Sequence, residues 1–229
     1  IFDAKLSRLR EDCLVPWDKF TELGRRSEKQ SSWTSPETFF DDVSRSYKRD
    51  LQQGQSKHIE VWCEKAVAIN HITRKYDVDL FAGGGYRSSS ALYEAAERFR
   101  NIDKPIVVLY LGDFDPSGLD IERDIATRML TVFGIKVDVQ RVLLVPQDIT
   151  DYKLLPDTAK LADPRSYKYI KIYGRNTYEL DALPPNILAK RLEEAIRRNI
   201  DIGLYESQVA NEVVDNGEID RFIGSWNRS

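Results

Sequence analysis

The run Ile106-Val107-Val108-Leu109-Tyr110-Leu111 has no polar position to turn toward water, and it ends in Gly112-Asp113-Phe114-Asp115-Pro116-Ser117-Gly118. β-Branched and bulky residues without alternation predict a central strand covered on both faces. A strand of that kind needs helices on either side, which commits the chain to an α/β layer architecture. Asp113 and Asp115 are two residues apart, so in extended chain they project to the same side. Pro116 and Gly118 end the strand, and a helical pattern begins at once. Carboxylates at the C-terminal end of a central parallel strand stand where open α/β sheets place their ligands. Like charges this close repel, and burial adds to the cost unless a cation neutralises them. A hard divalent cation with oxygen ligands is the economical solution. The plainer reading is a solvated Asp-Pro turn.

The rest of the chain supplies the layers. Residues 1–57 read as a helical N-terminal segment. Within it Ser35-Pro36-Glu37 is a helix start, with a cap, a proline and an acid in succession. Phe39, Val43, Tyr47 and Leu51 follow at helical spacing, so Tyr47 reads as packing. Residues 58–200 read as the α/β domain. Ile59 to Cys63 is a strand, followed by Glu64-Lys65 and a helix from about Ala66 to Tyr76. Asp79 to Ala82 is a second strand that runs into Gly83-Gly84-Gly85-Tyr86-Arg87 and capping serines. The next helix has an apolar face of Leu92, Ala95, Ala96 and Phe99. After the central strand, Ile121, Ile125, Met129 and Val132 mark a helix that stops at Gly134, and Val137 to Val145 is a fourth strand. The alternation predicts a doubly wound, mostly parallel sheet. Tyr169-Ile170-Lys171-Ile172-Tyr173 reads as a last strand, and residues 201–229 as a helical C-terminal tail.

Charge narrows the function classes. The 34 Lys and Arg nearly balance the 37 Asp and Glu, for a formal net charge of −3. That is not a chain that holds nucleic acid by bulk charge, although a local basic groove fits within it. No apolar run is long enough to span a membrane, and no signal peptide is visible. Cys13 and Cys63 form no CxxC pair, which makes a reduced, cytoplasmic protein the default. With only His58 and His71, a zinc hydrolase has few ligands to draw on. The glycine-rich turn is not G-x-G-x-x-G, because Ser88 stands where the third glycine would be. The chain opens on Ile1 rather than Met, the expectation for a piece of something longer.

A third acid is needed for a catalytic metal site, and Glu64 stands just past the first strand, able to reach the same rim as Asp113 and Asp115. Read alone, Glu64 is equally a general acid or base, or a surface glutamate at a strand end. A strand ending in Glu, a strand-helix unit, then a strand ending in Asp-x-Asp resembles the Toprim superfamily. The likeness extends to the A subunit of topoisomerase VI and its meiotic double-strand-break relatives. The matching pieces are Glu64-Lys65, Gly83-Gly84-Gly85-Tyr86 and Asp113-Phe114-Asp115-Pro116-Ser117-Gly118, across roughly Ile59 to Leu183. Val61-Trp62-Cys63-Glu64-Lys65 and Glu179-Leu180-Asp181-Ala182-Leu183-Pro184 are similar to phrases in uncharacterised Toprim proteins of bacteria and their phages.

The resemblance implies that Glu64, Asp113 and Asp115 bind Mg²⁺, with Mn²⁺ as a substitute, and that a DNA phosphodiester is cut or exchanged nearby. It implies DNA as a partner, with a second copy of the chain or an ATPase subunit as an assembly partner. Three function classes follow: a metal-dependent nuclease, a topoisomerase VI A-like transesterase whose tyrosine domain lies elsewhere, and a DNA-binding or scaffolding module. Glu179 and Asp181 are candidates for a second metal, or else a helix-entry pair favoured by the dipole. Asp120 and Glu122 read as electrostatic caps of the helix that begins at Pro116. Lys65, Arg87, Lys160 and Arg165 are candidate phosphate contacts, each otherwise a solvated surface charge. Phosphatases of the haloacid dehalogenase type also use Asp-x-Asp, at the end of their first strand. Here the motif follows two strands, the first of which ends in Glu64.

Overall fold

The computed structural model describes residues 32–65, 69–83, 88–158 and 165–226. Four strands, β1 (His58–Cys63), β2 (Asp79–Ala82), β3 (Ile106–Leu111) and β4 (Val137–Leu143), form one all-parallel sheet in the order β2-β1-β3-β4. The helices are α1 (Pro36–Ser46), α2 (Asn70–Tyr76), α3 (Ser89–Phe99), α4 (Pro116–Phe133), α5 (Pro146–Asp151), α6 (Ser166–Tyr173), α7 (Pro185–Asn199) and α8 (Ile202–Trp226). Two short strands, β5 (Asp157–Thr158) and β6 (Asn176–Thr177), pair antiparallel apart from the sheet.

β3 is buried along its whole length, as its apolar run requires. Its alternate residues divide between two cores. Val107, Leu109 and Leu111 join Ile59, Val61 and Cys63 under α2 and α7, where Ile72, Tyr76, Leu188, Leu192 and Ile196 close the layer. Val108 and Tyr110 join Trp62 on the other face, under Leu92 and Phe99 of α3 and Ile121, Ile125 and Met129 of α4. The fold is thus a doubly wound α/β sheet with helices on both faces.

Local chemistry sets the helix ends. Ser35 caps α1, accepting the Thr38 N–H, and Pro36 fills the first helical position. Gly134 ends α4 with φ +71°, a left-handed residue that glycine adopts without a Cβ clash. The segment Tyr169 to Tyr173 is helix and not strand, since it lies inside α6. Its alternation of large and charged residues fits a short helix equally well, and only Ser166 and Tyr169 of α6 are buried. The α1 face also differs from expectation. None of its residues is buried, and the Tyr47 hydroxyl donates to Asp215 Oδ2 at 2.6 Å. Arg49 pairs with the same carboxylate, and Ser44 donates to Asp220, so α1 and α8 lie together.

Glu60 in β1 shows what a buried charge needs. It is 1% exposed, and its carboxylate accepts Trp62 Nε1–H at 2.8 Å and two Arg98 N–H groups at 3.1 and 3.0 Å. Burial alone would raise its pKa, but His58, Arg98 and Trp62 together hold it below the usual glutamate range. An acid with a depressed native pKa adds stability above its unfolded pKa and loses it as the pH falls through the native one. Glu60→Gln is therefore expected to lower stability near neutral pH and to flatten the acid limb. Urea unfolding from about pH 7 to about pH 3 reads this directly. An acid limb as steep as the wild type's would remove Glu60 from the account.

Candidate functional site

The chain leaves β1 toward β2 on one side and returns to β3 on the other. The strand order therefore reverses between β1 and β3, and a crevice opens at their carboxyl ends. Cys63 pairs with Leu111 in register, which puts Glu64 and Gly112 side by side at that crevice. The Glu64 N–H donates to Leu111 O at 3.0 Å, and the Gly112 N–H to Leu143 O at 2.9 Å. Glycine is required at 112 by close approach. A Cβ there would stand 2.8 Å from Glu64 Oε2 and nearer still to the Tyr110 hydroxyl.

Glu64 Oε2 accepts the Asp113 N–H at 2.9 Å. Burial pushes the Glu64 carboxyl above the usual glutamate range, the Asp113 N–H opposes it, and the charges of Asp113 and Asp115 push the same way as burial. Beside it lies the buried Tyr110 hydroxyl, whose interaction with the carboxylate also opposes the rise. Asp113 Oδ1 accepts the Leu180 N–H at 2.7 Å. Asp115 is the N-cap of α4, its Oδ1 accepting the Gly118 N–H at 2.6 Å. Gly118 also has no room for a side chain, because a Cβ would collide with the Asp113 carbonyl.

A third stretch completes the rim. Phe114 and Tyr178 exchange backbone hydrogen bonds at 2.8 and 3.0 Å, an isolated antiparallel bridge that lays residues 178–181 along the Asp113-Phe114-Asp115 turn. The Tyr169 hydroxyl shares its one proton between Asn176 O at 2.7 Å and Phe114 O at 3.1 Å, fastening the same seam from α6. Lys65 Nζ sits among three carboxylates, 3.1 Å from Glu179, 3.4 Å from Asp181 and 3.5 Å from Asp113. Burial would lower the lysine pKa, but the Glu179 hydrogen bond and the charges of Asp113, Asp181 and Glu179 raise it on balance. Glu64-Lys65, Asp113-Phe114-Asp115 and Glu179-Leu180-Asp181 thus meet at one place.

Arg141, which sequence reasoning passed over, holds this arrangement. Its side chain is 8% exposed and pairs with Glu122 at 2.9 Å. The guanidinium donates to the carbonyls of Gly112, Asp113, Leu144 and Gly118 at 3.2, 3.3, 3.3 and 2.7 Å, and lies over the Tyr110 ring. A planar fork of five donors suits several carbonyls at once. In the sequence Arg141 is one polar residue in a half-exposed strand, and nothing local marks it. The electrostatic-cap reading of Asp120 and Glu122 is corrected here. Asp115 caps the helix, Glu122 pairs with Arg141, and Asp120 pairs with Arg123 at 2.7 Å and Arg165 at 3.8 Å.

The candidate phosphate contacts separate. Lys65 is engaged with the rim carboxylates, Arg165 lies beside the first turns of α4, and Arg87 and Lys160 fall outside the described residues. Among the described residues, no three His, Cys, Asp or Glu side chains stand close enough to hold an ion as they are. Each of the three acids instead spends an oxygen on a backbone N–H. The donor set is nonetheless all oxygen, with the Glu64, Asp113 and Asp115 carboxylates grouped beside the buried Tyr110 hydroxyl. That chemistry fits a hard divalent cation. Family models, curated proteins and solved structures, compared with this chain, give no match.

Proposed function

We propose that this chain cleaves DNA phosphodiesters with Mg²⁺, or Mn²⁺ in its place, held by Glu64, Asp113 and Asp115. The observation that carries the reading is the meeting of three distant acidic stretches at the switch point of a parallel sheet. The bound cation would supply Lewis-acid stabilisation of the charge that builds up in phosphoryl transfer, and would activate water. Glu179 and Asp181 stand on the same rim to support it. The chain's own residues prepare the place. Gly112 leaves space for Glu64, Arg141 fixes the carbonyls on either side of Asp113, and Lys65 bridges Asp113, Glu179 and Asp181.

The nucleophile in this reading is water. Tyr47 is the sole tyrosine before Glu64, and its hydroxyl is given to Asp215, which raises its pKa and makes it a poorer attacker. Tyr110 is fully buried, and burial followed by the Glu64 charge pushes its pKa far up. Labelled plasmid DNA incubated with the chain and Mg²⁺ or Mn²⁺, then quenched with detergent, is expected to give cut DNA with free ends and no label on the protein. Label carried by the protein and lost in Tyr47→Phe would replace hydrolysis with transesterification. No cutting with either metal would favour a binding module.

A further inference from the structure

Beside the candidate centre, α6 and the first turns of α4 enclose a groove of about 730 Å³ that takes no part in the account above. Pro116, the residue after Asp115, forms part of its wall. Phe114, between the two aspartates, packs edge-on against Tyr169 and Tyr173 at 5.9 and 5.1 Å, so the groove and the acidic turn share one aromatic cluster. Tyr167 and Ile172 are left outside that cluster, 80% and 68% exposed, with Tyr173 at the margin. Arg123, Arg165 and Lys168 line the same groove against one acid, Asp120, so its lining is net cationic in a chain that is net anionic.

We infer that this groove holds a single DNA strand leading to or from the scissile phosphate. An apolar patch alone would not specify an occupant, but open aromatic rings interleaved with cations match stacked bases and the phosphates between them. Arg165, Tyr167 and Lys168 follow one another across the start of α6, with the aromatic between the two charges. Paired bases in an intact duplex do not offer their faces to a side chain, so stacking on Tyr167 selects unpaired DNA. The inference rests on the phosphodiester-cleavage reading for its substrate, and deepens it from DNA in general to an unpaired or locally opened strand.

The test uses the full chain and a fluorescein-labelled oligo-dT, followed by anisotropy with EDTA present so that binding is read without cleavage. Tyr167→Ala is expected to weaken binding by about five- to 150-fold, the range for loss of one stacked base. Tyr167→Phe keeps the ring and is expected to bind within about twofold of wild type, as is a blunt hairpin duplex with either variant. Lys168→Ala is expected to reduce the salt slope by roughly 0.7, one single-strand phosphate contact. Because Tyr167 is exposed, an unchanged melting temperature certifies the fold. Equal binding by wild type and Tyr167→Ala, a Phe variant as weak as the Ala variant, or no binding of oligo-dT by wild type would each overturn the inference. Cleavage in Mg²⁺ is scored separately on the same preparations. Tyrosine-dependent binding without cleavage removes the nuclease reading and leaves the groove, whereas cleavage with tyrosine-independent binding does the reverse.

Discussion

Glu64→Gln is expected to abolish metal-dependent DNA cleavage while leaving the metal-free protein at least as stable as wild type. The two effects have separate causes. Glutamine keeps an oxygen to accept the Asp113 N–H, so the bond at 2.9 Å survives. It removes a charge that burial and the neighbouring aspartates oppose, and its amide oxygen can still face the Tyr110 hydroxyl. An amide is a far weaker ligand than a carboxylate for a hard cation. If the cation supplies about 4 kcal/mol of transition-state stabilisation, cleavage falls about a thousandfold. Metal should also stop protecting the fold. At a hundred times its dissociation constant a ligand adds about 2.7 kcal/mol, and that gain should vanish in Glu64→Gln and in Asp113→Asn. Thermal melts with and without Mg²⁺, beside a plasmid assay, check both halves. Equal metal stabilisation of wild type and both variants would remove the metal from this rim.

Arg141→Met is expected to cost about 1–3 kcal/mol of stability, the penalty for leaving buried carbonyls without a donor. The carbonyls of Gly112, Asp113, Leu144 and Gly118 lose the guanidinium and the methionine replaces none of those bonds, although Gly112 O keeps the Leu144 N–H at 3.0 Å. Glu122 is about one-third exposed, so water can recover its charge. Glu122→Gln leaves the buried guanidinium its carbonyl acceptors and a glutamine oxygen in place of the carboxylate, and should cost less than Arg141→Met. Arg141→Lys should recover little, since one ammonium cannot reach carbonyls on both strands and the α4 turn. Urea denaturation of the three variants orders them. A loss under about 1 kcal/mol in Arg141→Met, or full recovery with lysine, would show that the turn stands without the guanidinium.

The legible parts of the chain were those where one stretch carries its own reason. Ile106 to Leu111 declared a strand buried on both faces, and the structure buries every residue of it. The spacing of Leu92, Ala95, Ala96 and Phe99 declared a helix face, and all four are buried. Residues 169–173 were misread because Tyr-Ile-Lys-Ile-Tyr satisfies a period of two as well as a short helix, and only docking of Tyr169 decides between them. Within the site, Glu64, Asp113 and Asp115 were visible as acids at strand ends. The cap of Asp115 on Gly118 is local, but the Leu180 N–H that Asp113 accepts and the Arg141 that holds the surrounding carbonyls were not visible, because both arrive from elsewhere in the chain. Glu122 looked like a dipole partner for the same reason, since Arg141 is distant in sequence, whereas Asp120 has Arg123 three residues on, a helical pair that the sequence does display.

The bridge between Phe114 and Tyr178 bears on the order in which the site can be assembled. Asp113 obtains the Leu180 N–H across 67 residues of chain, a span that includes α4, β4 and α6. The strands of the sheet can pair without that closure, but the acidic rim cannot form without it. Contacts so distant in sequence carry a loop-closure entropy that is met only once the intervening elements have packed. A fragment ending after β4 would keep both aspartates, yet it would lose α7, which covers Val107, Leu109 and Leu111, along with the seam that turns Asp113 toward Lys65, Glu179 and Asp181. The stretch after β4 therefore serves twice, closing one face of the sheet through α7 and completing the rim through residues 178–181.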